Sequence, residues 1–107
     1  SQKHHWVAYG KRLSGSITID EGCTKAVLNH GASILPAGII EVDGSFEPGD
    51  TVSIISKGKE IARGLVNYSS TDLLKIRGHN TQDIARVLEI DTTYDEVVHR
   101  NNLVIIH

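Results

Sequence analysis

Apolar residues occur along this chain in short bursts, each broken by Gly, Pro, Asp or Asn. Ile17-Thr18-Ile19 alternate as a half-buried strand does and stop at Asp20. Asp20 is a good helix N-cap, with Glu21 well placed for the helix dipole. Cys23, Ala26, Val27 and His30 then follow helical spacing, and Gly31 suits the position just past a helix end. Pro36 and Gly38 interrupt the next apolar run, so Ser33 to Gly38 reads as a loop feeding a strand over Ile39–Val42. Asp43-Gly44 and Pro48-Gly49-Asp50 are turn signals. A strand over Thr51–Ile55 meets another over Glu60–Asn67 through Lys57-Gly58-Lys59, a tight hairpin connection.

Two helical pieces follow. Ser69 caps the first with Asp72 three residues on, Leu73, Leu74 and Ile76 form its apolar side, and Gly78 ends it. Asn80 caps the second with Asp83 three residues on, and Ile84, Val87 and Leu88 form its stripe. Val97-Val98 and Leu103–Ile106 read as closing strands. Short strands separated by Gly and Pro turns predict a mainly β domain with short flanking helices, curled into a small barrel.

Composition agrees with one modest core. The chain has 107 residues, 39% apolar and 22% charged, enough for one domain. Aromatics are scarce, so Ile, Val, Leu and Ala must build the interior. The lone Cys23 has no intramolecular disulfide partner, which suits a reducing compartment. No apolar run approaches the roughly 20 residues of a membrane helix, and Ser1 to Tyr9 does not resemble a signal peptide. The chain therefore reads as soluble, cytoplasmic and without membrane contact.

Net charge is −2, but it is unevenly spread. Residues 1–19 carry +3, residues 20–56 carry −5, residues 57–79 carry +3 and residues 80–107 carry −3. A dedicated nucleic-acid binder shows a stronger basic footprint than this. Local basic patches remain: Lys57, Lys59 and Arg63 on the hairpin, and Lys75, Arg77 and His79 at the end of the first late helix. Trp6 and Tyr9, beside the basic N-terminal residues, could stack on bases or pack against a neighbouring domain.

Catalytic chemistry is not written in this chain. Neither GxGxxG nor GxxxxGK[ST] occurs, so no loop is built to cradle a phosphate. His4 and His5 are adjacent and point to opposite sides of an extended segment. Cys23, His30, His79 and His99 lack zinc-ligand spacing. Cys23 without a paired base reads as an inert residue at a helix–core boundary. Asp95-Glu96 reads as a solvated or capping pair, and the Asn67-Tyr68-Ser69 glycosylation pattern has no meaning in a cytoplasmic protein. No catalytic residue, cofactor site or metal site is expected.

Four segments together carry a resemblance: Ile34–Ile40 (ILPAGII), Phe46–Val52 (FEPGDTV), Glu60–Ser70 (EIARGLVNYSS) and Tyr94–Val104 (YDEVVHRNNLV). The chain resembles, over about residues 6–106, the C-terminal PUA domain of bacterial glutamate 5-kinases. The first two segments with Ala62-Arg63-Gly64 indicate a PUA-like domain, whereas GLVNYSS with DEVVHRNNLV points to the kinase. Asn101 departs from the Asp expected there.

The resemblance implies a single PUA-like β pseudobarrel, 1–107, excised from behind an amino acid kinase domain. That parent would use ATP and Mg²⁺ to phosphorylate the γ-carboxylate of glutamate, the first step of proline biosynthesis. Its nucleotide and glutamate residues lie outside this chain. The implied role is regulation or interaction with the kinase domain and other subunits; RNA binding is the alternative. PUA domains place RNA against the first helix, the Gly-rich loop after it and an adjacent strand. Here the resemblance puts that surface at Lys25, Asn29, His30, Gly31 and Ser33. It puts interdomain contacts at Trp6, near the former linker, and at Tyr68 and Ser69 in an exposed junction.

Overall fold

The computed structural model describes residues 12–91 and 93–106. Its centre is a five-stranded mixed sheet in the order β2-β1-β3-β4-β5. The strands are β1 (Leu13–Ile19), β2 (Ile39–Gly44), β3 (Thr51–Ser56), β4 (Lys59–Leu65) and β5 (Leu103–Ile105). β1 pairs antiparallel with β2 and parallel with β3, while β3–β4 and β4–β5 are antiparallel. Three α-helices flank the sheet: α1 (Glu21–His30), α2 (Ser70–Ile76) and α3 (Ile84–Leu88). This is the mainly β architecture with short helices that the sequence predicts.

The strand pattern follows from side-chain alternation. Ile17 and Ile19 of β1, Val52 and Ile54 of β3 and Ala62 of β4 point to one face and are almost wholly buried. Val27 of α1, Leu73 and Ile76 of α2 and Ile84 of α3 close over that face, with Ile34, Phe46, Val97 and Val98 filling between them. β3 and β4 turn through Lys57-Gly58, where both residues take positive φ (51° and 76°). Two such residues make the turn whose twist matches a hairpin.

Several elements differ from expectation. β1 begins at Leu13, four residues before Ile17, because Leu13 pairs with β3 and Gly15 and Ser16 pair with both β2 and β3 despite carrying no apolar side chain, the register shifting at Ser14. β2 continues through Asp43 and Gly44, read as a turn, because Ser16 and Gly15 supply their partners. β4 starts at Lys59 and stops at Leu65. The helix expected from Asn80 is instead a 3₁₀ turn, Thr81–Asp83, leading into α3, and Asn80 makes no side-chain cap bond. Val97-Val98 do not form a strand; Val98 makes one isolated bridge to Ile34. A Cβ on Gly64 would lie 2.5 Å from Val98 Cγ1 and 3.1 Å from the Asn102 carbonyl, so only glycine lets this segment lie against β4.

Candidate interaction surfaces

α1 is set at both ends by local chemistry. Asp20 Oδ1 accepts from the Cys23 amide at 2.7 Å. Gly31, at φ 60°, closes the helix by donating its amide to the Ala26 carbonyl. Val27 enters the core, and Thr24 Oγ1 donates to Ser56 Oγ at 2.8 Å, fixing the helix to the hairpin end. Lys25, Asn29, His30 and Gly31 are left exposed on the outer side. Lys25 Nζ lies 3.3 Å from Glu21 Oε1 on that surface, a pair of small energetic weight. Ser33 is half-buried, and its Oγ accepts from the Arg100 amide at 2.7 Å.

Beside this helix runs a groove of about 370 Å³. Cys23 and Ala26 form one wall and Ala32, Leu35 and Ala37 the other, with Asp20 at one end. Gly38 closes it tightly, since a Cβ there would lie 2.6 Å from Cys23 Cβ. Its ionisable side chains are Asp20 and Cys23, and neither is a cation. Burial first, and then the Asp20 carboxylate, push the Cys23 thiol up to about 11, so it stays protonated and unreactive near neutrality. Of the five residues placed at an RNA surface by the family resemblance, Ser33 alone lines the groove; Asn29, His30 and Gly31 lie at the helix end and Lys25 in the middle of the helix.

The hairpin cations do not share one free face. Lys57 and Lys59 are exposed, but Arg63 grips Glu60, with Nε to Oε2 at 2.9 Å and Nη2 to Oε1 at 3.1 Å. Ser53 Oγ donates to the same carboxylate at 2.5 Å. The Arg63 hydrogen bonds, aided by Ser53, hold Glu60 below the usual carboxylate range against the opposing effect of burial. Beyond α2, Arg77 Nη1 donates to the Ile40 carbonyl at 2.5 Å, tying the helix end to the edge strand β2.

The Tyr68-Ser69-Ser70 junction is not exposed, in contrast to the sequence reading. Tyr68 is 5% exposed, and its hydroxyl donates to the Tyr94 carbonyl. The two tyrosine rings meet edge to face, centroids 6.5 Å apart. Burial, more than any neighbouring charge, raises the Tyr68 phenol above its ordinary range. Ser69 Oγ caps α2 by accepting from the Asp72 amide at 3.1 Å, and Ser70 Oγ accepts from the Phe46 amide at 3.1 Å. Tyr68 and Ser69 thus serve the fold from within. Trp6 and Tyr9, with Lys3, Lys11, His4 and His5, lie outside the described residues.

Among the described residues, no group of three or more His, Cys, Asp or Glu is placed to hold a metal ion. No helix there is long and apolar enough to cross a membrane. The family model of the PUA domain matches residues 15–88. The chain belongs to the PUA domain family.

As a PUA domain it is similar to a region of glutamate 5-kinases. It is 45% identical over 107 residues to that of Thermoanaerobacter sp. (strain X514), covering 99% of this chain. It is 49% identical over 111 residues to that of Dictyoglomus turgidum, covering 98%. The chain spans only 28% and 30% of those two relatives, matching their C-terminal region. Two solved structures share the fold. A PUA domain from Aeropyrum pernix, in complex with tartrate, superposes with a TM-score of 0.57 at 22% identity, over 89% of this chain and 48% of that one. A PUA domain protein from Thermoplasma acidophilum gives 0.53 at 24% identity, over 86% and 47%.

Sequence reasoning missed the apolar exterior of this PUA domain. Leu74, assigned to the buried side of α2, is 53% exposed, because the Leu73–Ile76 stripe already faces the core and Leu74 sits 100° away from Leu73. Leu35 (44%) and Ile40 (49%) are also open to solvent. The signal was available, since Leu73 and Ile76 alone satisfy helical i, i+3 spacing.

Proposed function

We propose that this chain is the C-terminal PUA domain of a cytoplasmic glutamate 5-kinase, one domain of about residues 6–106, acting as a regulatory and interaction module. The observation that carries the reading is the identity of 43–49% with the C-terminal region of glutamate 5-kinases over nearly the whole chain. The parent phosphorylates the γ-carboxylate of L-glutamate with ATP and Mg²⁺, and its amino acid kinase domain supplies every residue for that chemistry. No residue of this chain is assigned to ATP or Mg²⁺. The partners are that kinase domain and other subunits of the enzyme.

The test is to remove the domain from the full enzyme and measure turnover, proline inhibition, Mg²⁺ dependence and assembly. Retained turnover with a change in one of the other three is the expected result; no change in any of them would overturn the reading.

RNA binding is the second reading, favoured by membership of the PUA family and by the exposure of Lys25, Asn29, His30 and Gly31 along α1 and its end. The surrounding charge speaks against it: Asp20 ends the groove, Glu21 pairs with Lys25, and residues 20–56 carry −5. Affinity for structured RNA that falls steeply with salt would support it. Absence of binding at low salt would dispose of it.

A further inference from the structure

We infer that the surface formed by Leu35, Ile40, Leu74 and Arg77 docks a protein segment that presents a carboxylate beside an apolar side chain. This deepens the interaction reading above and rests on it. α2 packs along β2 and the 3₁₀ turn Pro36–Gly38, and the Gly78 amide donates to the Pro36 carbonyl at 2.8 Å. Leu35 and Ile40 flank that turn, and Leu74 stands one helical turn before Arg77 on the same side of α2. Ile40 and Leu74, 49% and 53% exposed, thus lie on the two elements that Arg77 joins, and Leu35, 44% exposed, precedes the turn against which α2 packs.

Arg77 gives this surface its specificity. One guanidinium nitrogen is committed to the Ile40 carbonyl at 2.5 Å, which orients a side chain that would otherwise sample many rotamers. An arginine carries five N–H donors in a planar fork that matches a carboxylate, so the remaining donors are presented beside Ile40 and Leu74 in a set direction. Lys75, exposed and next to Leu74 in the chain, adds a second cation on α2, and β2 carries two exposed acids, Glu41 and Asp43. A pre-oriented arginine among aliphatic side chains is the kind of arrangement that dominates binding energy at protein interfaces. Nucleic acid fits it poorly, because Leu35, Ile40 and Leu74 offer neither an aromatic ring to stack a base nor hydrogen bonds.

The test compares amide exchange in this 107-residue chain with exchange in the full-length enzyme carrying it. Segments 35–42 and 71–79 are expected to exchange at least tenfold more slowly in the full enzyme. Arg77→Glu and Leu74→Asp should each abolish that difference, while the isolated variants keep the far-ultraviolet circular dichroism of the parent chain. Equal exchange in both contexts, or a difference that survives both substitutions, would overturn the assignment. Protection arising only on addition of structured RNA would overturn it too. The broader reading fails separately, through the domain-deletion experiment, so loss of one does not decide the other.

Discussion

The β3–β4 hairpin and the closing segment from Glu89 to Ile106 are held by different means. The hairpin is a backbone ladder from Thr51↔Leu65 to Ser56↔Lys59, with one register shift between Ile54 and Ile55, turned by two adjacent residues. The closing segment has little ladder: among its described residues, β5 pairs over three positions and Val98 makes one bridge to Ile34. It is pinned instead by groups distant in sequence. Asn67 Nδ2 donates to the Glu96 carbonyl at 2.9 Å, the Tyr68 hydroxyl to the Tyr94 carbonyl, and the Asn67 amide to the Val97 carbonyl at 2.8 Å. Ser33 Oγ receives the Arg100 amide. A ladder shares its stability among many equivalent bonds; pins concentrate it in a few side chains. Cutting a single pin should therefore loosen a place, whereas cutting the ladder's core should lower the stability of the whole.

The largest effect is expected at Ile54, wholly buried in the middle of β3. Ile54→Ala should destabilise the chain by about 2–5 kcal/mol, read by urea denaturation, with both regions losing protection together. An intact closing segment after the hairpin had melted would break the comparison. Gly64→Ala acts where the two regions touch, and its added methyl must displace Val98. A cost of about 1–3 kcal/mol is expected, with faster amide exchange at Val97 and Val98 than in the hairpin.

Tyr68→Phe removes a pin and leaves the ladder alone. It should cost about 1 kcal/mol, with the largest rise in exchange in segment 93–97. A uniform rise across the sheet would show that the pin is not local.

The smallest effect concerns pH and the hairpin. Glu60 is held below its ordinary range in the folded chain, so its contribution is present above the unfolded-state value of about 4.3 and fades as acid protonates the folded carboxylate. Glu60→Gln should lower stability slightly at neutral pH, by less than about 1 kcal/mol for so accessible a pair, read as a small fall in melting temperature. The difference should close in acid, as pH falls through the lowered pKa of the folded carboxylate. A gap that stays constant through that fall would assign the effect to packing rather than charge.

The same contrast explains what could be read from sequence. Ile17, Ile19, Lys57-Gly58 and the capping residues Asp20 and Ser69 were legible because each depends on neighbours within a few positions. Asn80 had the same local signature as Ser69, yet Thr81–Asp83 tighten into a 3₁₀ turn and its side chain makes no cap. Val97 and Val98 look like a strand, but their partners, Ile34 and Asn67, come from elsewhere in the chain. Lys25, Asn29, His30 and Gly31 were singled out through the family resemblance, whereas the exposure of their side of α1 is a matter of the fold. The groove and the Arg77–Ile40 contact were not legible, since they join positions up to 37 residues apart and no local pattern encodes that meeting.

The position of β1 has a consequence for how the chain is made. It is the first of the five strands to be synthesised, yet its two neighbours, β2 and β3, are completed only at Gly44 and Ser56. The parallel β1–β3 pairing cannot be closed by a turn and waits for the whole crossover between them. The hairpin, by contrast, completes itself within fifteen residues, Thr51 to Leu65. A growing chain thus carries β1 with both edges bare until the middle of the sequence emerges, and contacts of this span slow folding. Ser14, Ser16 and Thr18, which make half of that strand hydrophilic, keep the waiting edge poor at recruiting the wrong partner.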